Sequence, residues 1–175
     1  MRSLEAYERV VKLSTETRSK FKQVKVVSFE VQPKYSPTFD GLEHHLTDNR
    51  YIHFSFDNYI LASSTSNFFQ VNSYVASELY SQINKRFKDE SIKVSVDLFC
   101  GVAFSKANIS RFVYGIEINI VAIDCANYSL KLNCFSNIKF ICDDANNFKN
   151  HIIDDIDLVV INPPRRGIEK NFVIF

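Results

Sequence analysis

Residues 92–118 read IKVSVDLFCGVAFSKANISRFVYGIEI, and this stretch decides the fold. IKVSVDLF (92–99) and FVYGIEI (112–118) are rich in β-branched and aromatic residues, the composition of strands. The intervening AFSKANIS (103–110) is a candidate short helix. Working outward toward the C-terminus, Asn119 is a helix cap, and the spacing predicts a helix over 120–132 with Val121, Cys125 and Leu132 on one face. IKFIC (138–142) is a third strand, a short helical piece follows near 145–151, and DLVVIN (157–162) is a fourth strand. The continuous apolar run 158–161 is the pattern expected of a strand covered on both faces. Strands alternating with short helices imply βαβ units, hence an α/β, doubly wound parallel sheet.

Working outward in the other direction, Asn72 caps a predicted helix over 73–87, with Val75, Leu79 and Ile83 at four-residue steps. Upstream the pattern becomes β-rich. VKVVSFEV (24–31), RYIHFSF (50–56) and NYILAS (58–63) read as strands, and QPKYSPTFDG (32–41) as a loop or hairpin connection. An amphipathic helix near 4–13 would carry Leu4, Tyr7 and Val11 on one face. The expected boundary lies near Ser64–Asn67, separating a β-rich segment, 1–65, from an α/β domain, 66–175.

Bulk properties narrow the function classes. Of 175 residues, 46% are hydrophobic and 23% charged, values ordinary for a globular protein. The net charge of +1 gives no global basic field, though a local basic patch is compatible with it. No apolar run approaches the roughly 18–20 residues that span a bilayer. The charged amphipathic start is unlike a signal peptide, so the cytoplasm is expected. The four cysteines, Cys100, Cys125, Cys134 and Cys142, show no C-x-x-C spacing and are expected to be small buried residues. No metal site is expected.

In a parallel α/β sheet the ligand lies at the carboxyl ends of the strands. The four predicted tips read VDLFCGV, YGIEI, ICDDA and VINPPRRG, so three carry acids and the fourth an amide. Glu117, at the tip of the second strand, is suited to accept hydrogen bonds from ribose hydroxyls. G-x-G-x-x-G is absent and CGVAF offers one glycine, so a pyrophosphate cradle is not expected. A nucleoside ligand without phosphates fits better, and S-adenosyl-L-methionine has that chemistry. The competing reading is that Glu117 is a solvated strand-end acid.

SNFFQVNSYVASELY (66–80), VDLFCGV (96–102), YGIEI (114–118) and VVINPPRRGI (159–168) together resemble the RNA 5-methyluridine methyltransferases, in the branch acting on large-subunit ribosomal RNA. VVSFEVQP and FDGLEHHLT resemble the same branch, and the likeness runs over about residues 5–170. It implies a Rossmann-like S-adenosyl-L-methionine methyltransferase sheet behind a small β-rich segment, and ribosomal RNA as the partner. It also implies roles residue by residue: Gln70 contacts the cofactor, Phe99 lines its site and Glu117 holds the ribose. Asp144, a looser match, contacts the adenine side, and Asn162 sits by the cofactor's amino-acid end and the reacting base. Outside the resemblance, Gln70 reads as a turn residue bonded to backbone and Phe99 as core packing.

The family's mechanism adds a cysteine thiolate to uracil C6, methylates C5, and removes the C5 proton with a general base. In the family both groups follow the N-P-P-R strand, and Cys100 occupies the cofactor-loop cysteine position instead. The implied expectation is a catalytically incomplete internal fragment, lacking also the family's iron–sulfur cysteines; the alternative is a non-enzymatic remnant that binds a nucleoside or RNA weakly. A base amino-methyltransferase also uses N-P-P, but normally follows it with an aromatic residue, where this chain has Arg165. The family loop runs V-G-G-F after D-L-F-C-G; here it is VAF, about three residues short, which is nearly one helical turn and predicts weaker cofactor binding. Arg165 and Arg166 are candidates for RNA phosphates, or are ordinary turn charges.

Overall fold

The computed structural model describes residues 6–32, 42–56, 59–67, 72–88, 90–102, 109–163 and 167–168. The chain divides into two compact units, one formed by residues 1–52 with 64–66 and the other by 53–63 with 67–175.

In the first unit a helix, α1 (Tyr7–Lys20), precedes two antiparallel strands, β1 (Ser28–Val31) and β2 (Leu42–His45). β2, with the sequence LEHH, was not predicted; pairing holds it in place, with Phe29 opposite His44 and their rings stacked 4.9 Å apart. Tyr7 packs edge-on against Phe29. The strand predicted over 24–31 is shorter than expected, beginning at Ser28. Leu4 and nearly all of the 32–41 connection fall outside the described residues.

The second unit contains all but the first residue of β3 (Ile52–Phe56), which forms a two-stranded sheet with β4 (Tyr59–Ser63), then α2 (Ser73–Phe87). Four parallel strands follow: β5 (Ile92–Leu98), β6 (Ser110–Glu117), β7 (Ile138–Cys142) and β8 (Leu158–Ile161), in the spatial order β7-β6-β5-β8. A helix, α3 (Ile120–Asn133), links β6 to β7, and a 3-10 helix (Ala145–Asn150) follows β7. The expected mixed α/β architecture with a parallel, Rossmann-like sheet is therefore present. The short helix expected over 103–110 falls largely outside the described residues; Ser110 already belongs to β6.

Both predicted asparagine caps form. The Asn72 side chain accepts from the Val75 N–H at 3.0 Å, and that of Asn119 from the Val121 N–H at 2.9 Å. The face of α3 differs from the prediction: Leu132 is exposed, and the buried residues are Ala122, Ile123, Cys125, Ala126, Ser129 and Leu130. Small side chains let α3 approach β4 closely. Ser129 Oγ then accepts from the Ala62 N–H at 2.8 Å, while Asn133 accepts from the Ile60 N–H at 2.9 Å and donates to the Ile60 carbonyl at 2.7 Å. Asn133 and Ser129 thus satisfy backbone groups of β4 that would otherwise lack a strand partner.

Two cores flank the sheet. Leu61, Val113, Leu130 and Ile138 form one; Val96, Leu98, Ile116 and Phe148 anchor the other, with Tyr114, Ala145 and Ile152. β8 is half-buried and, among the described residues, pairs only with β5, so the strand expected to be covered on both faces is here an edge strand. Cys100 and Cys125 are buried as expected, but Cys134 and Cys142 are exposed: the first ends α3 in the left-handed region and the second lies at the tip of β7. Val75 and Leu79 of α2 are also exposed. Among the described residues no helix is long and apolar enough to cross a membrane, and no group of three or more His, Cys, Asp or Glu is placed to hold a metal ion.

Candidate functional site

The register of the parallel strands sets the site. Leu98 pairs with Ile116 and with Ile161, and Ile116 pairs with Ile141. The next residues along each strand, Phe99, Glu117, Cys142 and Asn162, therefore form one row along the carboxyl edge of the sheet. This edge is where parallel α/β sheets receive ligands.

At the tip of β5 the chain turns sharply. Phe99 has φ 60° and Gly101 φ 57°, both in the left-handed region. Glycine adopts it freely, but phenylalanine is strained there. Two features hold the turn: Phe99 is half-buried against the core under the sheet, and the Cys100 N–H donates to the Ile116 carbonyl at 3.2 Å. Cys100 is buried beneath it. A Cβ on Gly115 would lie 3.0 Å from Cys100 Sγ and 2.5 Å from the Phe140 ring, so β6 needs a glycine two residues before its tip.

Glu117 is half-buried, and backbone amides on two sides fix its carboxylate. The Gly101 N–H donates to Oε2 at 3.2 Å and the Asn119 N–H to Oε1 at 3.0 Å. Its own carbonyl accepts from the Asp143 N–H at 3.2 Å, tying the β6 tip to the β7 tip. A carboxylate has about four lone-pair positions, so one amide per oxygen leaves each oxygen able to accept again.

Beyond β7 stand two adjacent acids. Asp144 caps the 3-10 helix, its Oδ1 accepting from both the N–H and the side-chain amide of Asn146, each at 2.8 Å. Asp143 is held by His151, Asn147 and the Asp144 N–H, and these bonds lower its carboxyl from the usual 3.8 to about 2. Just past β8, the Asn162 N–H donates to the Leu98 carbonyl at 3.4 Å and its side chain is exposed. Of the five residues singled out from the sequence, Phe99, Glu117, Asp144 and Asn162 thus lie at the carboxyl ends of β5, β6, β7 and β8. Gln70 is outside the described residues, as are Arg165, Arg166 and residues 103–108, which hold all of the VAF loop but Val102.

Sequence reasoning did not single out Asp143, Asn119 as a partner of Glu117, or Asp157. Asp157 sits at the opposite, amino edge, where its Oδ2 accepts from the Lys93 N–H at 2.7 Å and the Val94 N–H at 2.9 Å. The Val94 bond first, then the Lys93 bond, lowers its carboxyl. The signal for Asp143 was the doubled acid in ICDDA; nothing local marks Asp157.

The chain matches no family model. It is 33% identical over 174 residues to the 23S rRNA (uracil(747)-C(5))-methyltransferase RlmC of Shewanella baltica (strain OS195), a match covering 96% of this chain and 45% of that protein. The RlmC of Mannheimia succiniciproducens is 34% identical over 169 residues, covering 90% of this chain and 43% of that protein. The chain thus spans about half the length of the curated relatives it matches. In fold it is similar to the Pyrococcus abyssi tRNA (uracil-54, C5)-methyltransferase, solved in complex with S-adenosyl-L-homocysteine, with a TM-score of 0.69 at 20% identity over 89% of this chain and 38% of that one. Trm5b from Pyrococcus abyssi gives a TM-score of 0.60 at 20% identity, over 92% of this chain and 48% of that one. The sequence resemblance to the RNA 5-methyluridine methyltransferases is borne out by these relatives.

Proposed function

We propose that this chain, a relative of the RNA 5-methyluridine methyltransferases, holds S-adenosyl-L-methionine along the carboxyl edge of its parallel sheet, as part of the methylation of uracil C5 in ribosomal RNA. One observation carries the reading: the Glu117 carboxylate stands at the tip of β6 with one backbone N–H on each oxygen, at 3.2 and 3.0 Å. That arrangement fixes the carboxylate without exhausting it. A ribose diol brings two O–H donors at neighbouring positions, and the two oxygens of Glu117 accept one each. The β5 turn offers a single glycine with positive φ at the site, Gly101, and so suits a nucleoside rather than a pyrophosphate.

The remaining roles follow the row of tips. Phe99 presents an apolar surface beside the nucleoside, Asp144 accepts from the adenine amino group, and Asn162 has both donor and acceptor for the zwitterionic amino-acid end. Gln70 is assigned a further cofactor contact on resemblance alone. When bound, the cofactor supplies an electrophilic methyl group on a sulfonium. This chain's residues bind and orient it, and the buried Cys100 takes no part in attack on the base. The target, uracil C5 of ribosomal RNA, comes from what the relatives are named for.

Calorimetry with S-adenosyl-L-homocysteine and, separately, NAD tests the reading. Saturable one-to-one binding of the first and none of the second is expected. Binding of NAD, or of neither, overturns it.

A further inference from the structure

A single carboxylate ties together the turn after β7. Asp143 Oδ1 accepts from the Asp144 N–H at 2.7 Å and from the Asn147 side-chain amide at 2.9 Å, while Oδ2 meets His151 Nε2. The Asp143 N–H donates to the Glu117 carbonyl at 3.2 Å. Asp143 therefore touches the backbone of both acids on this part of the carboxyl edge. Its partner His151 lies just past the 3-10 helix, and its N–H donates to the Phe148 carbonyl at 3.1 Å. Phe148 is 1% exposed, so the imidazole closes the turn from a point fixed in the core.

The arrangement sets the orientation of Asp144. Its Oδ1 takes both donors of Asn146, and Oδ2 takes no partner among the described residues. Oδ2 stands where the turn and the two Asn146 bonds on Oδ1 hold the carboxylate. Asp143 receives its N–H and His151 anchors Asp143, so the anchor reaches Asp144 in two hydrogen bonds. Neither Asp143 nor His151 is among the residues the resemblance assigned to the cofactor.

We infer that His151 is a positioning residue for the adenine side of the nucleoside site, acting through Asp143 to hold Asp144 in place. The inference rests on the proposed S-adenosyl-L-methionine reading. Removing the imidazole leaves the Asp143 carboxylate held through Oδ1 alone, and the Asp144 turn loses its anchor on His151. Ligands that carry adenine then lose affinity together, and those that lack it do not.

The test uses the whole chain with His151→Leu, His151→Gln and Asp143→Asn, and calorimetry with S-adenosyl-L-homocysteine, adenosine and S-ribosylhomocysteine, which lacks the base. His151→Leu is expected to weaken the first two by the same factor, about tenfold, the size of one charge-assisted hydrogen bond. S-ribosylhomocysteine should bind as before. His151→Gln restores an N–H donor and should recover affinity to within about threefold of the parent, a rescue that a merely structural histidine would not show. Asp143→Asn, nearly isosteric, should shift the same two ligands in the same direction and guards against a misfolded leucine variant. Unchanged adenosine affinity in His151→Leu and Asp143→Asn, or equal losses for all three ligands, overturns the inference while leaving the cofactor reading in place. A parent chain that binds none of the three overturns both.

Discussion

The two edges of the parallel sheet each carry a carboxylate held by two backbone amides, and they come to different ends. At the amino edge Asp157 takes the Lys93 and Val94 N–H groups on a single oxygen, Oδ2. It clips the start of β8 to the start of β5, and the Asp157 N–H donates back to the Val94 carbonyl at 3.0 Å. At the carboxyl edge Glu117 spreads its two amides over both oxygens, and they come from different turns, Gly101 and Asn119. The first arrangement is a pin between neighbouring strands. The second aims a fixed, unsaturated acceptor pair across the place where parallel sheets take their ligands. A carboxylate clamped by backbone is thus not itself a functional signal; the edge it occupies and the sharing of its lone pairs separate the candidate ligand group from the strand pin.

The largest effect is expected for Glu117→Ala. On the proposed reading it removes two acceptor bonds to the ribose, each worth about tenfold, so S-adenosyl-L-homocysteine should bind about a hundredfold more weakly by calorimetry. Gly115→Ala comes next: the new methyl would meet the Phe140 ring at 2.5 Å, directly upstream of the β6 tip. Overpacking of this kind costs about 1–3 kcal/mol, read as a lower denaturation midpoint with unchanged slope.

A smaller effect concerns acid. His151 first, then Asn147 and the Asp144 N–H, hold the Asp143 carboxyl at about 2 against an ordinary 3.8, so its folded value is depressed. Its stabilising contribution is present above the ordinary value and is lost as pH falls from about 4 toward about 2. Asp143→Asn should therefore melt below the parent at neutral pH, and the difference should shrink over that interval in calorimetric scans. The smallest effect is expected for Asp157→Asn: a slight fall in melting temperature, with S-adenosyl-L-homocysteine affinity unchanged. A matching loss of ligand affinity there would erase the distinction between the two edges.

What was legible in the sequence was local. Asn72 and Asn119 cap their helices because the acceptor and the amides it serves are two or three residues apart. The strands of the parallel sheet read from β-branched runs, and Glu117 from its place at a strand end. What was hidden depends on partners far along the chain: the carboxylate of Asp157 meets the Lys93 N–H across 64 residues, and Asn133 meets Ile60 across 73. The stripe on α3 was misread for a related reason. Hydrophobicity favoured Leu132, whereas close packing against β4 selected the small residues Ala126 and Ser129. β2 escaped because LEHH has little strand propensity of its own and is held by register with β1. The candidate site was legible as a row of strand tips, and the clamp on Glu117 was not, since Gly101 and Asn119 act through the backbone N–H that every residue but proline carries.

Whether the clamped Glu117 accepts the ribose of a bound nucleoside is read from the backbone amides that hold it. A nitrogen-15-labelled chain titrated with S-adenosyl-L-homocysteine should show saturable shifts at the Gly101 and Asn119 amides, whose acceptor gains new partners. The Lys93 and Val94 amides on Asp157 should stay still. Unmoved Gly101 and Asn119 signals at saturating ligand, or equal movement at both edges, would contradict the account.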